Sequence, residues 1–364
     1  MILLYGLILL ILLIYSYSLI DLNLTLINHP LWQNFRASII QLGYYHRDWS
    51  WLVYAGLVIL LFFFHLYFLK YHSKHNGLKV GLIVAVVLVG AYPLITHDLF
   101  NYIFDARIVT FYHKNPYELF AGFFYNDPWL RFMHWTGRRY PYGPIFLPLT
   151  LIPSFLGGTK FLLNFIFFKT FFVSFYLWAV YRLKKINNRW SLYFATQPLI
   201  IIEGLVASHN DLIGVSLAVI GVTYLIENRH RWLGYLFLIF SVGIKYITLP
   251  YLLFSRSNNK VIYVILLFVI GILIFINQGS EIQPWYFLAL LALIPLYDNV
   301  LPKLNLFFAG LLFSYYPYIR LGGWDATWKV SLKHEIILVF ALINVVYIIG
   351  SSTHFFSKKK FSSK

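Results

Sequence analysis

The sequence predicts an all-α fold: a polytopic transmembrane helical bundle of about 10–13 membrane segments, with a large outer loop carrying juxtamembrane helices. Three observations predict it. The 364 residues are 60% hydrophobic and only 12% charged, about half the charge of a soluble domain. Apolar runs recur along the whole chain, many close to the roughly 20 residues a helix needs to cross the hydrocarbon core. Runs such as LILLILLIYSY and LVILLFFFHLYF are apolar on every face, whereas an outer-membrane barrel strand alternates.

A net charge of +16 would suggest nucleic acid in a soluble protein. Here the basic residues gather in the short loop KYHSKHNGLK and the tail SKKKFSSK, as in cytoplasmic loops of membrane proteins, so no nucleic-acid partner is expected. With no cysteine, disulfides and thiolate metal sites are excluded. The first 20 residues lack a basic leader and a small-residue cleavage site, which predicts an uncleaved anchor.

In order, the apolar segments lie at about 2–20, 51–69, 79–96, 143–156, 161–181, 191–207, 212–226, 232–254, 261–277, 285–300, 304–319 and 335–350. They form one domain over 1–350, followed by a basic cytoplasmic tail at 351–364. With a cytoplasmic amino terminus, the second segment returns to KYHSKHNGLK and the third delivers Asp98 to the outer face. Counting back from a cytoplasmic tail puts QPWY (283–286) on the same face. If every middle segment spans once, RLKKINNR (182–189) and ENRHR (227–231) fall outside and SHND (208–211) inside, against the positive-inside tendency. A partial dip at 143–156 and a break near Gly243 reverse all three.

The largest non-spanning region, 97–142, is about 45 residues, a length usually kept for function. Its clusters, such as FFYNDPWLRFMHW, predict one or two helices lying along the membrane surface. On a helix, HDLFNYIFDAR puts Asp98, Asn101, Tyr102 and Asp105 on one stripe, away from Leu99, Phe100, Ile103 and Phe104. Either this stripe lines a site, or its acids merely face water or cap a helix. Arg107 falls on the opposite face, so either the helix ends near Ala106 or the guanidinium has a separate partner.

KNPYE (114–118) and GRRYPYGP (137–144) carry turn chemistry and read as punctuation in their own right. Arg138 and Arg139 are either simple anchors or phosphate ligands, and the second suits two guanidiniums at an outer boundary. SHND either caps the helix from Leu212 or, with Glu203 in QPLIIIEGLVA, marks a polar interior. Lys245, inside SVGIKYITLPYLLF, either snorkels or serves a site. The aromatics of QPWYF also suit an interfacial belt.

The ordered set HDLFNYIFDAR, KNPY, RRYPYGP, SHND, IKY and QPWY resembles the GT-C superfamily of membrane glycosyltransferases. It is most similar to the bacterial polyprenyl-phosphate-mannose-dependent mannosyltransferase branch, over residues 80 to 290 or so. The resemblance implies a hexosyltransferase of the bacterial plasma membrane, acting on the extracytoplasmic face. Its partners are a lipid-phosphate sugar donor, a glycan or lipid acceptor, and the membrane. The family's essential acid at the start of its first large outer loop matches Asp98. The chain departs from the pattern at Ala106-Arg107, where members often read Gly-Arg, and at the carboxyl end, where many are longer.

On that resemblance, Asp98 acts as general base in an inverting displacement, and Arg138, Arg139 and Lys245 stabilise the leaving phosphate. Asn101, Tyr102, Asp105, His209, Asn210 and Asp211 position sugar hydroxyls, and Trp285 or Tyr286 offers an aromatic face. Arg107, Asn115, Tyr117, Tyr142 and Gln283, from the same motifs, complete the substrate-binding set. No metal ligand is assigned; a divalent cation (Mg or Mn) between carboxylates and phosphate is compatible with this scheme and not required by it. A transporter or lipid-linked sugar flippase explains the intramembrane charges but not the carboxylate stripe. A scaffold subunit predicts that Asp98, Asp211 and Lys245 tolerate alanine.

Overall fold

The computed structural model describes residues 1–228, 230–254, 259–277 and 281–361. Arg229 of ENRHR and the last three residues of the basic tail lie outside the described residues. All regular structure among the described residues is helical.

The chain opens with α1 (Ile2–Ser16), α2 (Pro30–Ile40), α3 (Arg47–Lys70) and α4 (Gly77–Leu88). No long apolar run marks α2; Pro30 sits in its first turn and the His29 side chain accepts from the Leu31 amide. The apolar run 79–96 is helical only to Leu88, because Gly90 and Tyr92-Pro93 end it and the chain descends as a loop to His97. Next come α5 (Asp98–Thr110), α6 (Phe146–Gly157), α7 (Phe161–Ile186), α8 (Asn188–Thr196), α9 (Asp211–Glu227) and α10 (Arg231–Ile244). The carboxyl part holds α11 (Asn259–Asn277), α12 (Asn305–Phe313), α13 (Tyr316–Leu321) and α14 (Thr327–Phe361).

Among the described residues, four helical stretches are long and apolar enough to cross a membrane unaided: Ile2–Leu19, Arg47–Lys70, Phe161–Ile186 and Thr327–Ser351. The π-helix Ile200–Val206 and α9 pass the same test together but meet at a bend of 115°. Other apolar runs became short helices. The 12 residues of α6 reach about 18 Å, less than the hydrocarbon thickness, and 284–293 is an irregular 3₁₀ coil. The expected break near Gly243 falls at Lys245, which is extended between α10 and a 3₁₀ turn at Tyr246–Leu253.

The core is built around α9, buried along almost its whole length between α7 and α10. Gly221 and Gly234 let the α9 and α10 backbones touch: a Cβ on Gly221 would sit 2.8 Å from the Gly234 carbonyl oxygen. At the far end of α10 the Ser241 hydroxyl donates to the Gly214 carbonyl of α9 at 2.6 Å and Lys245 packs beside Gly214. At the end of the bundle where α3 begins, Arg47 donates to the Ile319 carbonyl at 3.3 Å and Asp48 pairs with Arg320 at 2.6 Å. At the other end, the Asn188 amide donates to the His72 and His75 carbonyls, joining the turn after α3 to the start of α8.

Candidate active site

α5 is not laid open along a surface. Ten of its 13 residues, Leu99 to Ile108, are buried, because 3₁₀ turns at Ala121–Phe124 and Pro128–Phe132 cover it on one side and α6 and α7 pack on the other. The helix runs past Ala106 to Thr110, and Arg107 has a separate partner. Its Nε donates to Asp127 at 2.8 Å, with the guanidinium between the Phe111 and Trp129 rings at 4.0 and 3.9 Å. Asp127 also accepts from the Tyr112 hydroxyl and the Trp129 amide. This knot pins the covering loop to α5, and Arg107 lies away from the cavity described next.

A cavity of about 530 Å³ opens beside the first turn of α5. Its lining includes Asp98, Arg138, Tyr142 and Lys245, with Gln283, Trp285 and Tyr286 and then Glu281, Trp324 and Lys333. Behind Asp98 the bent pair supplies a buried polar layer. The π-helix 200–206 ends without continuing, and the Lys169 ammonium of α7 takes its free carbonyls, donating to Leu205, to Val206 at 3.0 Å and to the Ser208 hydroxyl at 2.9 Å. Ser208 turns the chain at φ 62°, in the left-handed region. His209 then faces Asp98.

The His209 ring bridges two carboxylates: Nδ1 lies 3.3 Å from Asp98 Oδ2 and Nε2 lies 3.3 Å from Glu203 Oε2. Both contacts are long and off the ideal hydrogen-bond line, so they are charge contacts first. The ring stacks on Trp285 with centroids 4.0 Å apart. Asp211, at the first turn of α9, pairs with Lys245 at 2.8 Å, while Asn210 occupies the N-cap without a side-chain cap hydrogen bond. Burial raises the proton affinity of Asp98, but the His209 contact, with Lys245 and Arg138 nearby, outweighs it and holds the carboxyl below its ordinary value. Asp105 differs: burial pushes it up to about 8, with Arg138 pulling weakly the other way.

Of the residues singled out in the sequence, Asp98, Arg138, Tyr142, Lys245, Gln283, Trp285 and Tyr286 share the cavity wall. His209, Asn210 and Asp211 form the layer behind it, with Asn101, Tyr102 and Asp105 buried along α5; the Tyr102 hydroxyl accepts from the Asn210 amide at 3.3 Å. Three stand apart. Arg139 is exposed and off the wall. Asn115 closes a local turn, accepting from the Tyr117 amide and donating to Glu118, and Tyr117 is exposed with its ring against Tyr140.

The sequence also held signals not used. Lys333 lies inside the apolar α14, buried, with its ammonium 2.5 Å from Glu281 and 3.1 Å from Gln283 Oε1. An ionisable residue in a membrane segment, the signal that marks Lys245, marks it too. Lys169, buried within α7, carries the same signal.

A family model described as alpha-(1->6)-mannopyranosyltransferase, N-terminal domain, matches residues 6–257. The chain belongs to this family. It is a membrane glycosyltransferase that transfers mannosyl groups, and the matched segment contains Asp98, Arg138, Glu203, His209, Asp211 and Lys245. No curated protein and no solved structure matches the chain.

Proposed function

We propose that this mannosyltransferase uses a polyprenyl-phosphate mannose as donor and a glycan or lipid acceptor on the extracytoplasmic face, with inversion and with Asp98 as general base. The observation that carries the reading is the convergence of the Asp98 carboxylate with Lys245 and Arg138 on a cavity of about 530 Å³, whose other carboxylate, Glu281, is paired with Lys333. That volume is in the range of small-ligand sites.

The acceptor hydroxyl attacks the anomeric carbon while Asp98 takes its proton, and the bond from that carbon to the phosphate oxygen breaks. Polyprenyl phosphate leaves as a dianion and needs no general acid, so one carboxylate suffices where a glycosidase needs two. Lys245 and Arg138 meet the charge that grows on the leaving phosphate. Glu203 and His209 hold Asp98 in place from behind. Asn101, Tyr102 and Asp105 act through the shape of α5, and Trp285 and Tyr286 offer ring faces to the sugar.

Charge supports the extracytoplasmic face. Lys70, Lys74, Lys184, Lys185 and Arg189 flank the turns joined by Asn188, at the end of α3 remote from the cavity and about 36 Å along a 24-residue helix. Positive residues favour the cytoplasm, which supports an outward-facing cavity.

The test is reconstitution into vesicles with radiolabelled polyprenyl phosphomannose. Label recovered in an acceptor supports transfer from this donor; label that only changes leaflet supports a flippase and overturns the reading.

A further inference from the structure

We propose that Asp21, His97 and His134 form a binding site for one divalent transition-metal ion of the zinc class at the rim of the cavity. Three separate elements bring these residues together: the turn after α1, the residue preceding α5, and the loop that covers α5. Their ligand atoms all lie within 4.8 Å of one another. His134 Nε2 and Asp21 Oδ2 are already 3.4 Å apart, so the exposed imidazole and the carboxylate meet without a bound ion.

The turn carrying Asp21 is held as a ligand-bearing turn would need to be. Asp21 Oδ1 accepts from the Asn23 amide at 2.7 Å, which leaves Oδ2 for the cluster. The Asp21 amide donates to the Tyr92 hydroxyl at 3.0 Å, and Arg36 donates to the Leu22 carbonyl at 2.6 Å. Outer partners of this kind orient metal ligands. His97 is fixed by its place just before the first turn of α5, while His134 is the adjustable member, with 47% of its side chain exposed.

The His97 and His134 rings are stacked, with centroids 3.5 Å apart and planes 15° apart. Parallel rings cannot both aim an in-plane lone pair at one point, so loading the ion requires His134 to turn off the stack. Its exposed side has the room to do so.

Two imidazoles and one carboxylate, with no thiolate, suit zinc and late first-row ions and disfavour magnesium, which prefers oxygen. Three protein ligands leave a fourth position, and two of the three, His97 and His134, line the cavity. That a donor phosphate oxygen would occupy it rests on the function proposed above; the ion binding itself does not.

The test is calorimetric titration of the full chain in detergent, stripped with a chelator and then titrated with zinc chloride near neutral pH. One zinc per chain is expected, unaffected by excess magnesium, with Asp21→Asn and His134→Ala each weakening it at least tenfold and Asp98→Asn leaving it intact. His134→Ala removes an exposed side chain, so it keeps the fold if His97 variants do not. Binding well below one equivalent, or affinity in Asp21→Asn and His134→Ala equal to the parent's, overturns the site. A chain that binds zinc but transfers no mannose leaves this site standing and sinks only the donor assignment.

Discussion

His209 Nδ1 lies 3.3 Å from the Asp98 carboxylate, with the opposite edge of the same ring 3.3 Å from Glu203. A carboxylate at the mouth of a cavity is thereby tied, through one imidazole, to a carboxylate that water does not reach. Glu203→Gln keeps the volume but removes the charge behind His209. We expect kcat to fall by about 10–100-fold with the donor KM little changed, since Glu203 acts through the ring and touches no substrate. Steady-state kinetics on the folded variant checks this; an effect on KM alone would assign Glu203 to binding.

Lys245 has two partners to serve, Asp211 and the leaving phosphate. Lys245→Gln therefore strands a buried carboxylate and removes a cation from the cavity, with an expected stability loss of about 3–5 kcal/mol and a kcat loss of about 100-fold or more. The double variant Asp211→Asn/Lys245→Gln separates the two roles. Thermal unfolding in detergent should recover much of the stability, while transfer stays low.

Asp105 gives a pH dependence whose sign is fixed by its environment. Its carboxyl binds a proton up to about pH 8 in the folded chain, against an ordinary value of 3.8. Between those values the native state holds the proton the unfolded state has lost, so this residue's contribution to stability is full below the ordinary value. It falls as pH rises, by up to about 1.4 kcal/mol per pH unit, and is gone above the folded value. Arg138, Tyr140 and Tyr142 are the titratable groups coupled to it. Melting temperatures from pH 5 to 9 should decline for the parent and decline less for Asp105→Asn, which carries no proton to lose.

Gly143 in the Pro-Tyr-Gly-Pro step is where the loop before α6 meets the end of α10. A Cβ there would lie 2.2 Å from the Gly243 carbonyl oxygen, the group that also accepts from the Ile145 amide at 3.0 Å. Gly143→Ala must push α6 off the break that carries Lys245. We expect destabilisation of about 1–3 kcal/mol and a donor KM raised several-fold, read by thermal unfolding and kinetics.

Much of the site was legible in the sequence because charge inside apolar runs is costly enough to need a reason. Lys245, Asp211 and Glu203 stood out on that ground, and the structure pairs Lys245 with Asp211 and brings Glu203 to His209. Lys333 escaped notice because neighbouring Lys329, His334 and Glu335 make its stretch read as the edge of a loop, when it is part of one long helix. Asp21 and Asp127 escaped because each sits in a loop, and only the tertiary fold brings His134 to one and Arg107 to the other.

Helical class was legible and helix ends were not. The run 285–300 is as apolar as a spanning helix, yet hydrophobicity reports burial, and a buried 3₁₀ coil satisfies it equally well. The Pro-Tyr-Gly-Pro step read as a turn, but the need for its glycine lies in Gly243, about a hundred residues further along the chain. No local pattern carries that distance.

The most direct measurement is transfer by Asp98→Asn in the same vesicles as the parent, with radiolabelled polyprenyl phosphomannose and circular dichroism to show that the variant is folded. With Asp98 as base, the parent labels an acceptor and the folded variant yields no labelled product above background. Transfer by the folded variant at the parent's rate would contradict it.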